Sequence, residues 1–246
     1  MVETTGSSKI LVFSAHGADW CSRSGGSLAA HAQRGAEVHV VALTYGERGE
    51  SGALWRAEPN ISRDEVKVRR RAEAEEAARI LGVSVQFLDW GDYPLFIDKE
   101  RLLHLVGLIR EIRPNVILTH WTSDPFNQDH QVTGLAVIRA CHLATAAGVE
   151  APHAAVRYPS VYLFESSVPM TEFNEFNPDT FVDVTPTYDQ KMEALRAFKA
   201  QPELAQRYGR YAEQRGEQAR TVSGRLAIRY AEGFKRYRPA VVDHLT

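Results

Sequence analysis

The chain has 246 residues, a length that fits one α/β domain over residues 1–246 better than two small domains. Its hydrophobic content of 44% and its charged content of 24% are typical of a globular domain with its own core. The formal net charge of −2 gives no positive field that would attract nucleic acid or an anionic membrane, so we expect neither as a partner.

The cysteine content and the start of the chain indicate a cytoplasmic protein. Cys21 and Cys141 are far apart and lack CxxC spacing, which excludes both a disulfide framework and a thiolate metal site. The opening segment, MVETTGSSKILVFSAHGADW, has an apolar run that is too short for a signal peptide or a transmembrane helix. We therefore expect a cytoplasmic location.

Short apolar runs alternate along the chain with stretches of helical periodicity. The predicted strands are residues 9–15, 37–44, 83–90, 115–120 and 159–165. The predicted helices are residues 25–35, 63–81, 99–112 and 131–147, together with most of the tail from Tyr188 to Phe234. Strands that alternate with helices form βαβ units. We therefore expect a Rossmann-like α/β fold, with a mainly parallel sheet flanked by helices.

Polar loops follow three of the predicted strands, at residues 16–24, 45–60 and 120–130. In open α/β sheets a ligand binds beyond the carboxyl ends of the strands, where the strand order reverses. We expect these loops to share one crevice. A dinucleotide site is the alternative at this position, but the first turn lacks a GxGxxG pattern.

Candidate metal ligands lie in the first and third of these loops. His16 and Asp19 have a His-x-x-Asp spacing that can place an imidazole and a carboxylate on one ion. The third loop contributes further polar side chains: His120, Asp124, Asn127, Asp129 and His130. Two histidines and one carboxylate leave an open position on zinc, which is typical of a catalytic site. The same residue types at strand ends are often structural, so the spacing alone leaves both interpretations open.

These motifs resemble those of the PIG-L (LmbE-like) zinc deacetylases. AHGADWCSRSGG is similar to the AHPDDE motif of that family, and DPFNQDH is similar to its HPDH-type loop. Arg70-Arg71-x-Glu73, followed by AARILGV, extends the resemblance over most of the first 165 residues. The resemblance implies that the chain binds Zn²⁺ with His16, Asp19 and His130.

One position departs from the deacetylase pattern. In that family the first Asp of AHPDDE is the general base that activates water, whereas this chain has Ala18 there. An alanine methyl cannot accept a proton, and the loss of a general base typically costs about 10²–10⁴-fold in rate. We therefore expect little amide hydrolysis by the usual route.

Within the family, the chain resembles the 4-oxalomesaconate hydratase branch. The segments SAHGADW, LTYGERGES, GDYP, DPFNQDH and YAEG carry this resemblance. That branch also lacks the first Asp, and it adds water to a carbon–carbon double bond of an unsaturated oxo-tricarboxylate from aromatic-acid catabolism. It has a His for acid/base work after the fifth strand, where this chain has Ser166-Ser167, so the exact substrate stays open.

Carboxylates and arginines of the crevice loops are the remaining candidate site residues. Hydration needs groups that take and return protons, and Glu50 is the leading candidate, followed by Glu47. We include Asp129 as a carboxylate that orients the imidazole of His130 beside the metal. The candidate substrate-binding residues are Arg48, Arg56, Arg70 and Asn127, since guanidinium groups pair with carboxylates in bidentate fashion. A solvated loop and an exposed helix face are the alternative interpretations of these residues.

Together these features predict a zinc-dependent hydratase that acts on a small unsaturated oxo-polycarboxylate, and the chain can form a homo-oligomer. The alternative is a zinc-dependent N-deacetylase of a small amide or amino sugar that uses another carboxylate in place of the missing base. A metal-binding domain without catalysis is a third possibility. The lining of the crevice discriminates the first two, because arginines favour polycarboxylates and aromatic walls favour sugars.

Overall fold

A computed structural model describes residues 8–241 of the chain. Its strands are β1 (Lys9–Ser14), β2 (Glu37–Ala42), β3 (Ser84–Phe87), β4 (Val116–His120), β5 (Ser160–Phe164), β6 (Thr180–Asp183) and β7 (Ala231–Arg236). Its helices are α1 (Asp19–Ala32), α2 (Gly52–Ala57), α3 (Arg63–Leu81), α4 (Lys99–Ile112), α5 (Gln128–Ala144), α6 (Thr171–Asn174), α7 (Tyr188–Arg196) and α8 (Leu204–Ser223). Within residues 8–241, none of the helices combines the length and the apolar character needed to cross a membrane.

All seven strands belong to one sheet, in the order β3-β2-β1-β4-β5-β7-β6. The first five strands in this order pair in parallel, while β7 pairs antiparallel with both β5 and β6. From β1 the chain continues to β2 and β3, which lie on one side of β1 within the sheet. It later returns as β4, which lies on the other side of β1. The strand order therefore reverses between β1 and β4. The predicted α/β fold with a mainly parallel sheet is confirmed.

Both faces of the sheet are covered by helices, which explains why its central strands are apolar throughout. Ile10 and Val12 of β1 pack on one face, in the same cluster as residues of α1, α3, α7 and α8. Leu11 and Phe13 pack on the opposite face, with residues of α4 and α5. This alternation follows from the two-residue period of a strand.

Helix α3 forms where the sequence predicts it, because both of its ends carry specific signals. Ser62 and Glu65 form a reciprocal capping box at its start. Gly82 ends it in the left-handed conformation, with φ of 71°. The position of this helix matters for the site because its buried Arg70 faces the loop after β2.

Two helices near the crevice begin earlier than predicted. Helix α1 begins at Asp19 rather than at residue 25, because Trp20 is fully buried and its indole N–H donates to the carbonyl of Gly17 at 2.7 Å. Helix α5 begins at Gln128 rather than at residue 131, so His130 lies in its first turn and not in a loop. The predicted loop over residues 45–60 also contains a short helix, α2.

The prediction of a mostly helical tail is correct for α7 and α8 and wrong for its last part. Residues 231–236 form β7, in which Phe234 lies opposite Phe164 of β5. Strand β6 was also missed, since its four residues, TFVD, are too short to show a period. Strands β7 and β6 complete the sheet beyond β5. The sequence of so short a segment does not show whether it pairs with another strand.

Candidate active site

Segments that follow the carboxyl ends of β1, β2 and β4 converge at the point where the strand order reverses. His16 follows β1 directly, and Asp19 opens α1. Glu50 lies in the Gly-rich loop after β2, and His130 lies in the first turn of α5 after β4. This is where open α/β sheets place their ligand sites. Side chains from the three predicted loops do meet at one place.

Four side chains form a compact cluster there: His16, Asp19, Glu50 and His130, each with a ligand atom within 4.8 Å of the others. The Nδ1 atom of His16 lies 3.0 Å from an oxygen of Asp19 and 3.2 Å from Oε1 of Glu50. The Nε2 atom of His130 lies 3.3 Å from the other oxygen of Asp19. The structure thus brings together the three predicted metal ligands and adds the leading acid/base candidate to the same cluster.

The chemistry of this cluster fits a divalent cation. The Nε2 atom of His130 is buried and has no hydrogen-bond partner, although it faces two carboxylates. Burial lowers the pKa of His16, but the charges of Glu50 and Asp19 outweigh burial and raise it well above its usual value. This opposition between burial and paired carboxylates is relieved by a cation placed between them. Imidazole nitrogens and carboxylate oxygens are the ligands that zinc accepts.

A second carboxylate stands behind each imidazole. Asp124 accepts from Nδ1 of His130 at 2.8 Å, and it also accepts from the backbone and hydroxyl of Ser167. Burial raises the pKa of Asp124, but these donors outweigh burial and lower it to about 2.

The prediction that Asp129 orients His130 is wrong, because Asp129 lies 3.3 Å from Nε2 of His16 instead. Its backbone donors are the N–H groups of residues 93 and 95, which hold it in place.

Asp19 is held by Arg23, which was not predicted, and by His120, which ends β4. The guanidinium of Arg23 lies 2.7 Å from its Oδ1, and His120 lies 3.4 Å from its Oδ2. Burial raises the pKa of Asp19, but the charges of His130, Arg23 and His16 hold it well below its usual range. Arg23 was missed because the helix was predicted to begin after it; the i,i+4 spacing of an Asp and an Arg was the available signal.

The Gly-rich loop is fixed by Asp92, which was not predicted. Its buried carboxylate accepts from the backbone N–H groups of Arg48 and Gly49, immediately before Glu50. Glu47 is also buried, but it faces Asp92 instead of belonging to the four-residue cluster. Burial and the charge of Asp92 raise the pKa of Glu47.

The other predicted substrate-binding residues differ in their exposure. Arg48 and Arg56 are exposed. Arg70 is fully buried. Its guanidinium donates hydrogen bonds to the carbonyl of Tyr45 and to the side chains of Glu73 and Gln201. The expectation that Arg70 contacts substrate therefore has no support in its surroundings, and it instead fixes the start of the Gly-rich loop.

Asn127 and Ala18 are the remaining positions that the sequence singled out. Asn127 precedes α5 at its N-cap position and is 7% exposed, with a buried amide oxygen that has no partner. Ala18 is buried beside the cluster and supplies no proton-accepting atom. A general base at this position is therefore missing from the structure as well as from the sequence.

The fold and the cluster define an α/β protein with a group of imidazole and carboxylate side chains that could hold a metal ion, at the switch point of its sheet. Comparison with known proteins agrees, since residues 11–141 match the model of the family named PIG-L, GlcNAc-PI de-N-acetylase. The chain belongs to the PIG-L family. The predicted family membership is confirmed.

The chain is similar to hydratases and deacetylases of this family. It is 42% identical over 238 residues to 4-oxalmesaconate hydratase of Pseudomonas putida, covering 96% of this chain and 91% of that protein. The crystal structure of GalB, the 4-carboxy-2-hydroxymuconate hydratase of Pseudomonas putida KT2440, superposes with a TM-score of 0.91 at 41% identity, covering 97% of this chain and all of that one. Diacetylchitobiose deacetylase of Thermococcus kodakarensis is 27% identical over 205 residues, 78% of this chain and 70% of that protein.

Proposed function

We propose that this chain is a zinc-dependent hydratase that adds water to a carbon–carbon double bond of a small unsaturated oxo-polycarboxylate of the 4-oxalomesaconate type, in aromatic-acid catabolism. The hydratase relatives, which match nearly the whole chain, support this class of reaction. Zinc is the proposed metal, with His16, Asp19 and His130 as its ligands. We also propose that the protein is cytoplasmic.

One observation of the site carries the proposal. A residue that cannot accept a proton, Ala18, occupies the place of the deacetylase base, while the carboxylate of Glu50 lies 3.2 Å from His16 and 3.9 Å from Nε2 of His130. Glu50 is also the most accessible member of the cluster, with 14% of its side chain exposed. A carboxylate that is desolvated and still reachable from solvent suits proton transfer to and from a small substrate.

In the proposed reaction, Glu50, Asp124 and Asp129 have different roles. Bound zinc would supply Lewis acidity, which polarises a substrate oxygen or the attacking water. Glu50 takes a proton from water as the water oxygen bonds to one carbon of the double bond, and it returns a proton to the neighbouring carbon. Asp124 and Asp129 act through His130 and His16, since each accepts from the ring nitrogen that faces away from the cluster centre.

The substrate carboxylates need cationic or N–H partners near the mouth of the site. Arg48 and Arg56 are the exposed guanidinium groups of the Gly-rich loop region, and we propose that they bind these carboxylates. The partnerless amide oxygen of Asn127 is a further polar group of the crevice that can contact the substrate. The assignment of Arg48 and Arg56 rests on their exposure together with the chemistry of the guanidinium group.

The test of the proposal is turnover of 4-oxalomesaconate by the zinc-loaded protein and by its Glu50→Gln variant. Gln keeps the shape of Glu but cannot exchange a proton, so we expect kcat to fall by about 10²-fold or more while zinc stays bound. Glu58→Gln, which changes an exposed glutamate paired with Arg69, is the matched control and should keep normal turnover.

Three outcomes would contradict this assignment. No turnover of 4-oxalomesaconate by the normal protein would reject the hydratase. Fast release of acetate from an N-acetyl sugar would favour the deacetylase alternative. Loss of zinc from the Glu50→Gln protein would make Glu50 a metal ligand and transfer the acid/base role to Glu47 or to a water chain.

A further inference from the structure

Tyr93 of the GDYP segment stands at the mouth of the cluster, and no step above uses it. Its ring centroid lies 5.9 Å from that of His16. The residue is 46% exposed, whereas His16 and His130 are fully buried. Tyr93 is therefore the large side chain that borders both the cluster and the solvent from which a substrate arrives.

The position of this ring is closely determined by its surroundings. The backbone N–H of Tyr93 donates to Asp129 at 2.9 Å, and the same carboxylate oxygen lies 3.3 Å from His16. The ring covers the α-carbon of Gly49, where any side chain would collide with it. Glu50 follows Gly49 directly, so Tyr93 is fixed against both the imidazole and the loop that carries the proposed acid/base group.

The backbone of Tyr93 is also in an unusual state. Its φ is 44°, in the left-handed region that a bulky L-residue rarely adopts. Such conformations persist where the surrounding structure enforces them, often at functional sites. The structure therefore holds this side chain at the cluster at the expense of local stability.

The hydroxyl of Tyr93 is the unused polar group of this arrangement. Within residues 8–241 it makes no hydrogen bond to another protein group. The nearby charges are His16, Glu50, Asp129 and Asp19, which places the phenol in the electrostatic field of the cluster. A neutral phenol beside a reacting centre can donate a hydrogen bond to an oxygen that gains negative charge.

We infer that the Tyr93 hydroxyl donates a hydrogen bond to the substrate oxygen that becomes negatively charged when water adds to the double bond. The new C–O bond forms at one alkene carbon, and the electron pair of the double bond moves toward the oxygen of the conjugated carbonyl or carboxylate group. The charge on that oxygen disappears again when the neighbouring carbon takes its proton. The contact with Tyr93 is strongest while that charge exists, so it lowers the barrier more than it strengthens substrate binding. This inference rests on the proposed hydratase function.

The deciding variant is Tyr93→Phe, which keeps the ring on Gly49 and removes only the hydroxyl. Loss of one oxyanion donor typically lowers kcat by about 10²–10³-fold, so we expect a fall in this range with KM nearly unchanged and zinc still bound. Tyr162→Phe, which removes a hydroxyl from β5 that contacts Arg236, is the matched control and should behave as the normal protein. Tyr93→Ala measures the additional contribution of the ring.

A second measurement does not depend on the identity of the substrate. Oxalate is a planar dianion that resembles an enolate, and its binding to the zinc-loaded protein can be followed by calorimetry. The loss of a hydrogen bond to a charged group is expected to weaken oxalate binding about tenfold in Tyr93→Phe. Zinc affinity, measured by competition with a chelator, should be the same in both proteins.

The outcomes separate this inference from the proposed function. A normal protein that does not hydrate 4-oxalomesaconate rejects the proposed function, while the oxalate comparison still decides the role of Tyr93. A Tyr93→Phe protein with normal kcat, or with a raised KM alone, overturns the inference. Equal oxalate binding by both proteins, or no oxalate binding by the zinc-loaded normal protein, overturns it as well.

Discussion

His16 is the residue on which the charges of the site converge. Its Nδ1 faces Asp19 and Glu50, and its Nε2 faces Asp129. Replacement by alanine removes one of the two nitrogen ligands and leaves His130 as the remaining imidazole of the four-residue cluster. A cation then lacks the second nitrogen ligand and the closed set of ligands that zinc prefers.

We expect His16→Ala to lose nearly all of its zinc. The measurement is the metal content of the purified protein after dialysis, by elemental analysis. His39→Ala is the matched control, because His39 is a half-buried strand residue near Glu37 and lies at the other end of its strand from the crevice. Retention of one full equivalent of zinc by His16→Ala, with normal affinity, would rule out the assigned ligand set.

Single residues of the site were predictable only where a motif carried them. His16, Asp19 and His130 were found because their spacing and the family resemblance agreed. Asp129 was placed beside the metal but with the wrong imidazole, since the choice between Asp124 and Asp129 depends on the direction of each side chain in the first turn of α5. Sequence spacing does not determine that direction.

At the scale of elements, β7 and α7 are joined to α1 by one buried carboxylate. Glu232 of β7 accepts from Nζ of Lys191 at 2.7 Å and from the backbone N–H groups of Gly26 and Ser27. Both charged side chains are nearly inaccessible. When one partner of such a buried pair is removed, the other charge stays buried without compensation.

We therefore expect Glu232→Gln to lower the free energy of unfolding by about 3–5 kcal/mol. Urea denaturation followed by circular dichroism measures this change. The exposed pair of Glu76 and Arg79 offers the control, and Glu76→Gln should leave the denaturation midpoint unchanged. Similar midpoints for the two variants would show that the buried pair does not hold these elements together.

The accuracy of element prediction followed the length and the local signals of each segment. Helix α3 has a capping box and a terminal glycine, and its bounds were predicted correctly. Strand β7 forms because it pairs with β5 and β6, which are distant in sequence. Its own residues show no hydrophobic period that would predict a strand. Long-range pairing is the information that a single sequence lacks.

At the scale of the whole molecule, the sheet continues beyond the part of the chain that the family model matches. That match ends at residue 141, within α5. Strand β5 nevertheless pairs with β4, and β7 continues the same sheet. The helices α7 and α8 share a core cluster with α1 and α3. We propose on this basis that residues 1–246 form one domain.

One domain that binds zinc in its folded state should unfold in a single transition that depends on zinc. We expect coincident thermal curves from circular dichroism and tryptophan fluorescence. Zinc at about 100 times its dissociation constant stabilises the folded state by about 2.7 kcal/mol, which corresponds to a rise in Tm of about 5–10 °C for a domain of this size. His16→Ala should unfold in one transition without this rise, since its ligand set is incomplete. Two separate transitions in the normal protein would contradict the single domain, and an equal rise of Tm in His16→Ala would place the stabilising zinc elsewhere.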